Sequence, residues 1–294
     1  MHENEVNIIE KLILGTAQIG LNYGINNSKF MSTEDANQIL NIAHSSGINF
    51  LDTAETYGVS HKRIGDFHRN TRKRFDVITK IKSFGRIEDF KAKIEGFLKE
   101  LNVDKLYCLE VHSTQLGEIN VDEYFNQVKD LVKNFGISIY TEEDYYSLKT
   151  KLEPNIVQLP FNILDNLTHR GSLFTELKDN GVKIHARSIF LQGILTSNFN
   201  QLLLNDPELT RTMNFLKSLI NKNQSIEGLA MSYALLNKDV DGVIFGVDSI
   251  VQLEENIRLL ESIEEYRGYT KEINNIDFKN QSILDPRKWK IKQP

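Results

Sequence analysis

Four side chains stand out for the chemistry they would do together: Asp52, Tyr57, Lys80 and His112. A free phenol, with a pKa of about 10, holds its proton too tightly for efficient transfer near neutrality. An ammonium beside it favours the phenolate and lowers that value. In this reading Lys80 tunes Tyr57, and Asp52 pairs with Lys80 and keeps it charged and in place. His112 donates a hydrogen bond to a carbonyl oxygen and orients it. Tyr57 protonates that oxygen as hydride reaches the carbon, or takes the proton back in the reverse direction. No side chain supplies a hydride, so the set requires a nicotinamide. Each residue alone has a plainer account. Asp52 would form a turn or cap, Tyr57 would pack a loop, Lys80 would be solvated and His112 would be structural.

Such a set needs elements that place its members around one opening. Short apolar runs recur at Leu12–Gly15, Ile48–Leu51, Asp76–Ile81, Lys105–Val111, Gly136–Tyr140, Ile156–Leu159, Val182–Ala186 and Gly242–Gly246. Helical patterns separate them. Ser32 and Asp35 form a capping-box pattern with Asp in place of Glu. Ala36, Ile39, Leu40 and Ala43 follow on one helix face, and Gly47 can close the helix. Phe90, Ile94, Phe97, Leu98 and Leu101 predict the next helix, and Tyr124, Phe125, Val128, Leu131 and Val132 another. Further helices are expected near 142–150, 171–180, 208–236 (with a break near Asn223–Gln224) and 249–262.

Eight strands alternating with helices, and no linker between halves, predict an α/β chain forming one domain over 1–294. The expected architecture is a single (β/α)8 TIM barrel with long loops at its C-terminal face. A C-terminal tail, about 263–294, is expected to fold over the mouth. Functional groups of such barrels sit at the C-terminal ends of strands. Asp52 would end strand two, with Tyr57 in the loop beyond. Lys80 would lie near the end of strand three, and His112 would end strand four.

Composition excludes several classes of function. A formal charge of −5 argues against general affinity for nucleic acid or anionic membrane. One cysteine, Cys108, rules out an intramolecular disulfide and a cysteine zinc cluster, and reads as a small buried hydrophobe. The histidines lack metal-ligand spacing, so no metal is expected. The N-terminus carries no apolar signal core, and no apolar run approaches membrane-spanning length. A soluble, cytoplasmic protein is expected. HRNTRKRF, residues 68–75, precedes strand three and reads as a solvated helix end on the face opposite the site.

The segments LDTAETYG, ITK and LEVH, in this order, resemble the aldo-keto reductase family and its Asp–Tyr–Lys–His tetrad. The likeness runs from LILGTAQIGLNYG near the start to VIFGVDSIVQLEEN near the end. It implies a (β/α)8 barrel and NAD(P)H-dependent interconversion of carbonyls and alcohols. It also implies cofactor contacts at Thr16, Ser138 and Gln158, the last two holding the nicotinamide carboxamide. Ile139 stands where an Asn commonly follows that Ser. Arg187 occupies the place where many relatives stack a tyrosine on the nicotinamide. The stretch Gly246, Val247, Asp248, Ser249, Gln252, Glu255 and Asn256 matches the adenosine end, with Ser249 opening a helix whose N-terminus suits a phosphate. NADPH is the family default. Asp248 and Gln252 stand where NADPH-preferring relatives often carry cations, which keeps NADH open, although Asp248 also reads as a helix cap.

The resulting expectation is a carbonyl reductase or alcohol dehydrogenase for a small polar molecule, with a sugar or sugar nucleotide as one candidate. Glu55, Phe190 and Trp289 are expected to border the substrate. The alternatives are a cofactor-retaining sugar isomerase or epimerase, and a nucleotide-sensing module with the same fold. No oligomeric state is readable from the surface composition.

Overall fold

The structure, a computed structural model, describes residues 7–23, 30–112, 119–198 and 205–289. Eight parallel strands close into a barrel in sequence order. They are β1 (Leu12–Gly15), β2 (Phe50–Ala54), β3 (Asp76–Ile81), β4 (Leu106–His112), β5 (Val132–Ser138), β6 (Ile156–Pro160), β7 (Lys183–Arg187) and β8 (Gly242–Gly246). Closure comes from β1 pairing with β8, Leu12 opposite Val243 and Gly15 opposite Gly246. The expected (β/α)8 barrel is the observed one.

Helices surround the barrel and bury their apolar stripes on it. Helix α1 is a single turn, Ala17–Gly20. Helix α2 (Thr33–Ser45) starts where the capping pattern put it: the Ser32 hydroxyl accepts from the Asp35 amide at 3.0 Å. Ala36, Ile39, Leu40 and Ala43 are its buried face, and Gly47 follows with φ +93°. Then come α3 (Ser60–Asn70), α4 (Ile87–Leu101), α5 (Val121–Asn126), α6 (Glu142–Lys149) and α7 (Leu167–Asp179). The expected 208–236 helix is two, α8 (Pro207–Leu219) and α9 (Ile226–Leu235), divided around Asn223–Gln224. The last barrel helix is α10 (Ile250–Leu259), and α11 (Thr270–Asn274) and α12 (Gln281–Leu284) lie in the tail.

Three local readings are corrected. Leu131 and Val132 do not extend a helix: α5 stops at Asn126, and Val132 opens β5 opposite Leu106. Strand pairing overrides a helical spacing that a six-residue helix does not continue. Strand β2 starts at Phe50 rather than Ile48 and runs through Asp52 to Ala54, so Asp52 lies within the strand. The basic stretch 68–75 is at the N-terminal end of β3, but His68 is buried. Its Nδ1 lies 2.8 Å from the Leu101 carbonyl, and its Nε2 accepts from the Phe75 amide at 3.2 Å. Burial lowers its pKa, so the ring is a neutral structural link.

The barrel interior is layered. Ile13, Ile78, Cys108, Ile156 and Ile244 form a separate apolar cluster inside it. Side chains two residues apart on a strand share a face, so the next layer towards the C-terminal ends is set by Gly15, Lys80, Glu110, Gln158 and Gly246. The strands that build an apolar plug also build the floor of the site.

Candidate active site

A cavity of about 990 Å³ opens at the C-terminal ends of the strands. Asp52, Tyr57, Lys80, Ser138, Gln158, Arg187 and Phe190 line one end, and Gly246, Asp248, Gln252, Glu255 and Asn256 line the other. Thr16 lines it between β1 and α1. Most of the residues singled out in the sequence thus face one space.

At its floor, the Lys80 ammonium ion-pairs with the Asp52 carboxylate, both almost wholly buried. Gln158 donates from Nε2 to the same Asp52 oxygen at 2.8 Å. Burial opposes the Lys80 charge, but Asp52, Tyr57 and Glu110 together outweigh it and raise its pKa. Lys80 therefore stays an ammonium.

Tyr57 is half-buried above this pair, with Lys80 Nζ 6.0 Å from its ring centre. A tight turn holds it: its amide donates to the Ala54 carbonyl and its carbonyl accepts from the Ser60 amide, each at 2.9 Å. Gly58 takes φ +52° in that turn. A Cβ on Gly20 would lie 1.8 Å from the Tyr57 carbonyl oxygen, so only glycine lets α1 approach so closely. Below runs a chain of hydroxyls, Thr53 to Ser60 at 3.0 Å, Ser60 to Thr16 at 2.8 Å and Thr16 to the Asp52 carbonyl at 2.9 Å. Thr53 and Ser60 carried no signal in the sequence, because their partners are brought together only by the fold.

The acid–base expectation needs one correction. Burial raises the Tyr57 pKa above that of a free tyrosine; Lys80 offsets this only in part, and Asp52 adds to it. The environment keeps the phenol protonated rather than making it unusually acidic.

Other expected residues are placed differently. His112 ends β4, but its side chain lies outside the described residues. Glu55 turns away from the cavity: its Oε2 accepts from the Lys82 amide at 2.7 Å and pairs with Lys93 at 2.9 Å. Val247 is core. Trp289 packs partly buried against the core and donates from its indole to the Ile283 carbonyl at 3.0 Å. It is not among the cavity-lining residues.

The described part of the tail is tied to the loops that follow β6 and β7: Asn166, the N-cap of α7, donates to the Ile273 and Ile276 carbonyls, and the Asn280 side chain donates to Asp206 at the start of α8 at 2.7 Å. Arg287, also in the tail, reaches the cavity-lining Tyr140, its guanidinium 3.6 Å from the centre of the ring. Arg187 lies 4.0 Å from the same ring and donates to the Ile139 carbonyl at 2.9 Å.

The segment after β7 lines the cavity in a strained conformation. Ser188, Leu191 and Gln192 all have positive φ, at 58°, 44° and 51°. Non-glycine residues in that region cluster at functional sites. Gln192 donates to the Tyr23 hydroxyl at 2.9 Å, bridging to the β1 side. Neither residue was singled out in the sequence.

At the far end Ser249, not Asp248, caps α10: its hydroxyl accepts from the Gln252 amide at 3.2 Å. Gln252 folds back and accepts from the Asp248 amide at 2.6 Å. The amide end of the Gln18 side chain packs over Gly246 at this edge, 2.6 Å from where a Cβ would stand. The Asn256 side-chain nitrogen and Arg187 Nε are buried without a protein partner. Buried donors left unpaired call for a ligand group or water. They fit an elongated molecule with amide and ring acceptors, as a nicotinamide dinucleotide has. Among the described residues, no group of three or more His, Cys, Asp or Glu could hold a metal ion. No helix there is long and apolar enough to cross a membrane.

Comparison with known proteins agrees with this geometry. The profile of the Aldo/keto reductase family matches residues 11–276. The L-galactose dehydrogenase of Arabidopsis thaliana is 24% identical, over 88% of this chain and 86% of its own. An uncharacterized oxidoreductase of Bacillus subtilis (strain 168) is 23% identical, over 80% of this chain and 87% of its own. Among solved structures, the holo form of an aldo-keto reductase from Bacillus halodurans superposes with a TM-score of 0.74 at 20% identity. It covers 92% of this chain and 94% of its own, which shows the shared fold. With its barrel, its cavity and a family match over most of its length, the chain belongs to the aldo/keto reductase family, NAD(P)H-dependent oxidoreductases that interconvert carbonyls and alcohols.

Proposed function

We propose that this enzyme reduces the carbonyl of a small polar substrate, with Tyr57 as the proton donor. The observation that carries this reading is the buried Asp52–Lys80 pair, braced by Gln158, beneath a phenol that faces the cavity. A bound nicotinamide supplies the hydride. Tyr57, with its pKa raised by burial, stays protonated across the neutral range and is ready to donate. Lys80 stabilises the phenolate left behind, and Asp52 and Gln158 hold Lys80 in position. Ser138 and the Gln158 carbonyl offer hydrogen bonds to a carboxamide, while Asn256 and Glu255 serve the adenine end. His112 is proposed to orient the substrate oxygen.

Cofactor preference follows from charge at the far end. Asp248 lines the cavity there, and Gln252 is occupied in bracing the start of α10. A carboxylate repels a 2′-phosphate, and a neutral amide adds no compensating charge. Among the described residues that line this end, Arg258 is the cation that remains. A polyhydroxylated, sugar-like substrate is supported by the polar lining and by the name of the Arabidopsis relative.

The test has two parts. Titration with NADPH and NADH, followed by nucleotide fluorescence, should show binding in the micromolar range, about −8 kcal/mol. Absence of binding to either at millimolar concentration overturns the reading. Tyr57→Phe should bind nucleotide as the wild type does, yet lose about 10²- to 10⁴-fold in carbonyl reduction across a panel of hydroxyaldehydes. An unchanged rate removes Tyr57 from the mechanism.

A further inference from the structure

Glu110 is the charged side chain of the barrel interior that the reaction as described leaves unused. It lies on β4 directly opposite Lys80 on β3 and opposite Gly136 on β5. It is 0% exposed, and neither carboxyl oxygen has a hydrogen-bond partner. The nearer oxygen stands 3.7 Å from Lys80 Nζ, beyond hydrogen-bond distance. A Cβ on Gly136 would sit 3.0 Å from both the Glu110 Cγ and the Cys108 sulfur, so the absent side chain makes the space that Glu110 fills. A carboxyl set in such a site is costly unless it serves the charge beside it.

We propose that Glu110 is a positioning residue of the reaction, which acts through Lys80 by setting the net charge of the buried group beneath Tyr57. With Glu110 protonated, Asp52 and Lys80 balance, and the ammonium field reaches the phenol undiminished. When Glu110 loses its proton, one ammonium faces two carboxylates, and the group becomes net negative. The phenol then holds its proton more tightly, which makes Tyr57 a weaker proton donor and its phenolate scarcer. The charged and titratable groups that act on Glu110 include Lys80 on β3, Asp52 on β2, Cys108 on β4 and Arg187 on β7, while His185 on β7, buried near the same Asp52 and Lys80, is held neutral with its pKa lowered to about 4. Burial is the main influence and raises its pKa to about 7, against the opposing pull of Lys80. The change therefore falls within the neutral range.

This inference rests on the hydride-transfer reading for its meaning, but its test does not. In ¹⁵N-labelled full-length protein, the Lys80 ammonium resonance is followed from about pH 5 to about pH 9, below the ordinary range of lysine itself, and assigned by its loss in K80R. The wild-type resonance should move with a midpoint in the neutral range. It should stay fixed in E110Q and move again in E110D, which restores an ionisable group. Should E110Q fail to fold, a displaced midpoint in E110D carries the same information. A stationary or missing wild-type resonance overturns the proposal, as does movement that survives in E110Q or an unchanged midpoint in E110D. Failure of nucleotide binding would remove the hydride-transfer reading and leave this measurement standing.

Discussion

Two layers of the barrel interior, two residues apart on the same strands, behave in opposite ways. The lower layer is Ile13, Ile78, Cys108, Ile156 and Ile244, packed without charge. One step up the same faces come Gly15, Lys80, Glu110, Gln158 and Gly246, where a buried ion pair and a bare carboxyl lie under an open cavity. The lower layer stabilises by apolar burial. The upper layer spends part of that stability on holding charges in a place where they are poorly solvated. The contrast shows how one barrel carries a firm fold and a demanding site in the same strands.

Mutations can break or sharpen that contrast. The largest effect should come from Lys80→Met, which leaves Asp52 charged and without its cation. Denaturant unfolding should show a loss of about 3–5 kcal/mol, with turnover falling by orders of magnitude. If stability is untouched, the upper layer is not under the electrostatic load described. Ile156→Ala in the lower layer should cost about 2–5 kcal/mol while turnover per folded molecule stays near wild type. A parallel fall in turnover would show that the layers are not separable.

The next effect is one of pH. The Glu110 carboxyl titrates at about 7 in the folded chain against an ordinary 4.5. A raised value favours the folded state while the group is protonated, and that benefit is lost as pH rises from about 4.5 through about 7. The wild-type Tm should therefore drop relative to E110Q over this window, by on the order of 5 °C. A constant gap contradicts a titrating Glu110. Ser60→Ala interrupts the hydroxyl chain from Thr53 to Thr16 and should cost about 1 kcal/mol in thermal or chemical unfolding. Its effect on turnover measures how far that chain holds the Tyr57 turn.

The fold could be read from the sequence because its signals are local. Apolar runs such as Leu12–Gly15 and Gly242–Gly246 became strands with those same bounds, and the Ser32 cap and Gly47 stop fell in place. Leu131 and Val132 misled because their place is set by pairing with β4, not by spacing. In the site, Asp52, Tyr57 and Lys80 are visible as polar residues in or just beyond short apolar runs. Glu110 gives no such signal inside the apolar-looking run LYCLEV, since only the fold reveals that it faces Lys80 across a strand pair. Glu55 was misplaced for the converse reason: its partner Lys93 lies on α4, well beyond it in the chain, and the ion pair draws the side chain away.

Barrel closure has a consequence for how the molecule is made. Because β1 pairs with β8, the cavity has no complete wall until the last strand has left the ribosome. Through most of synthesis the edge of β1 is unpaired, and the charged floor stands open to water. Such late, long-range pairing is slow and exposes sticky edges. The nascent chain therefore acquires its nucleotide-sized cavity in one late event, and truncations short of β8 should leave an insoluble chain rather than a weak enzyme.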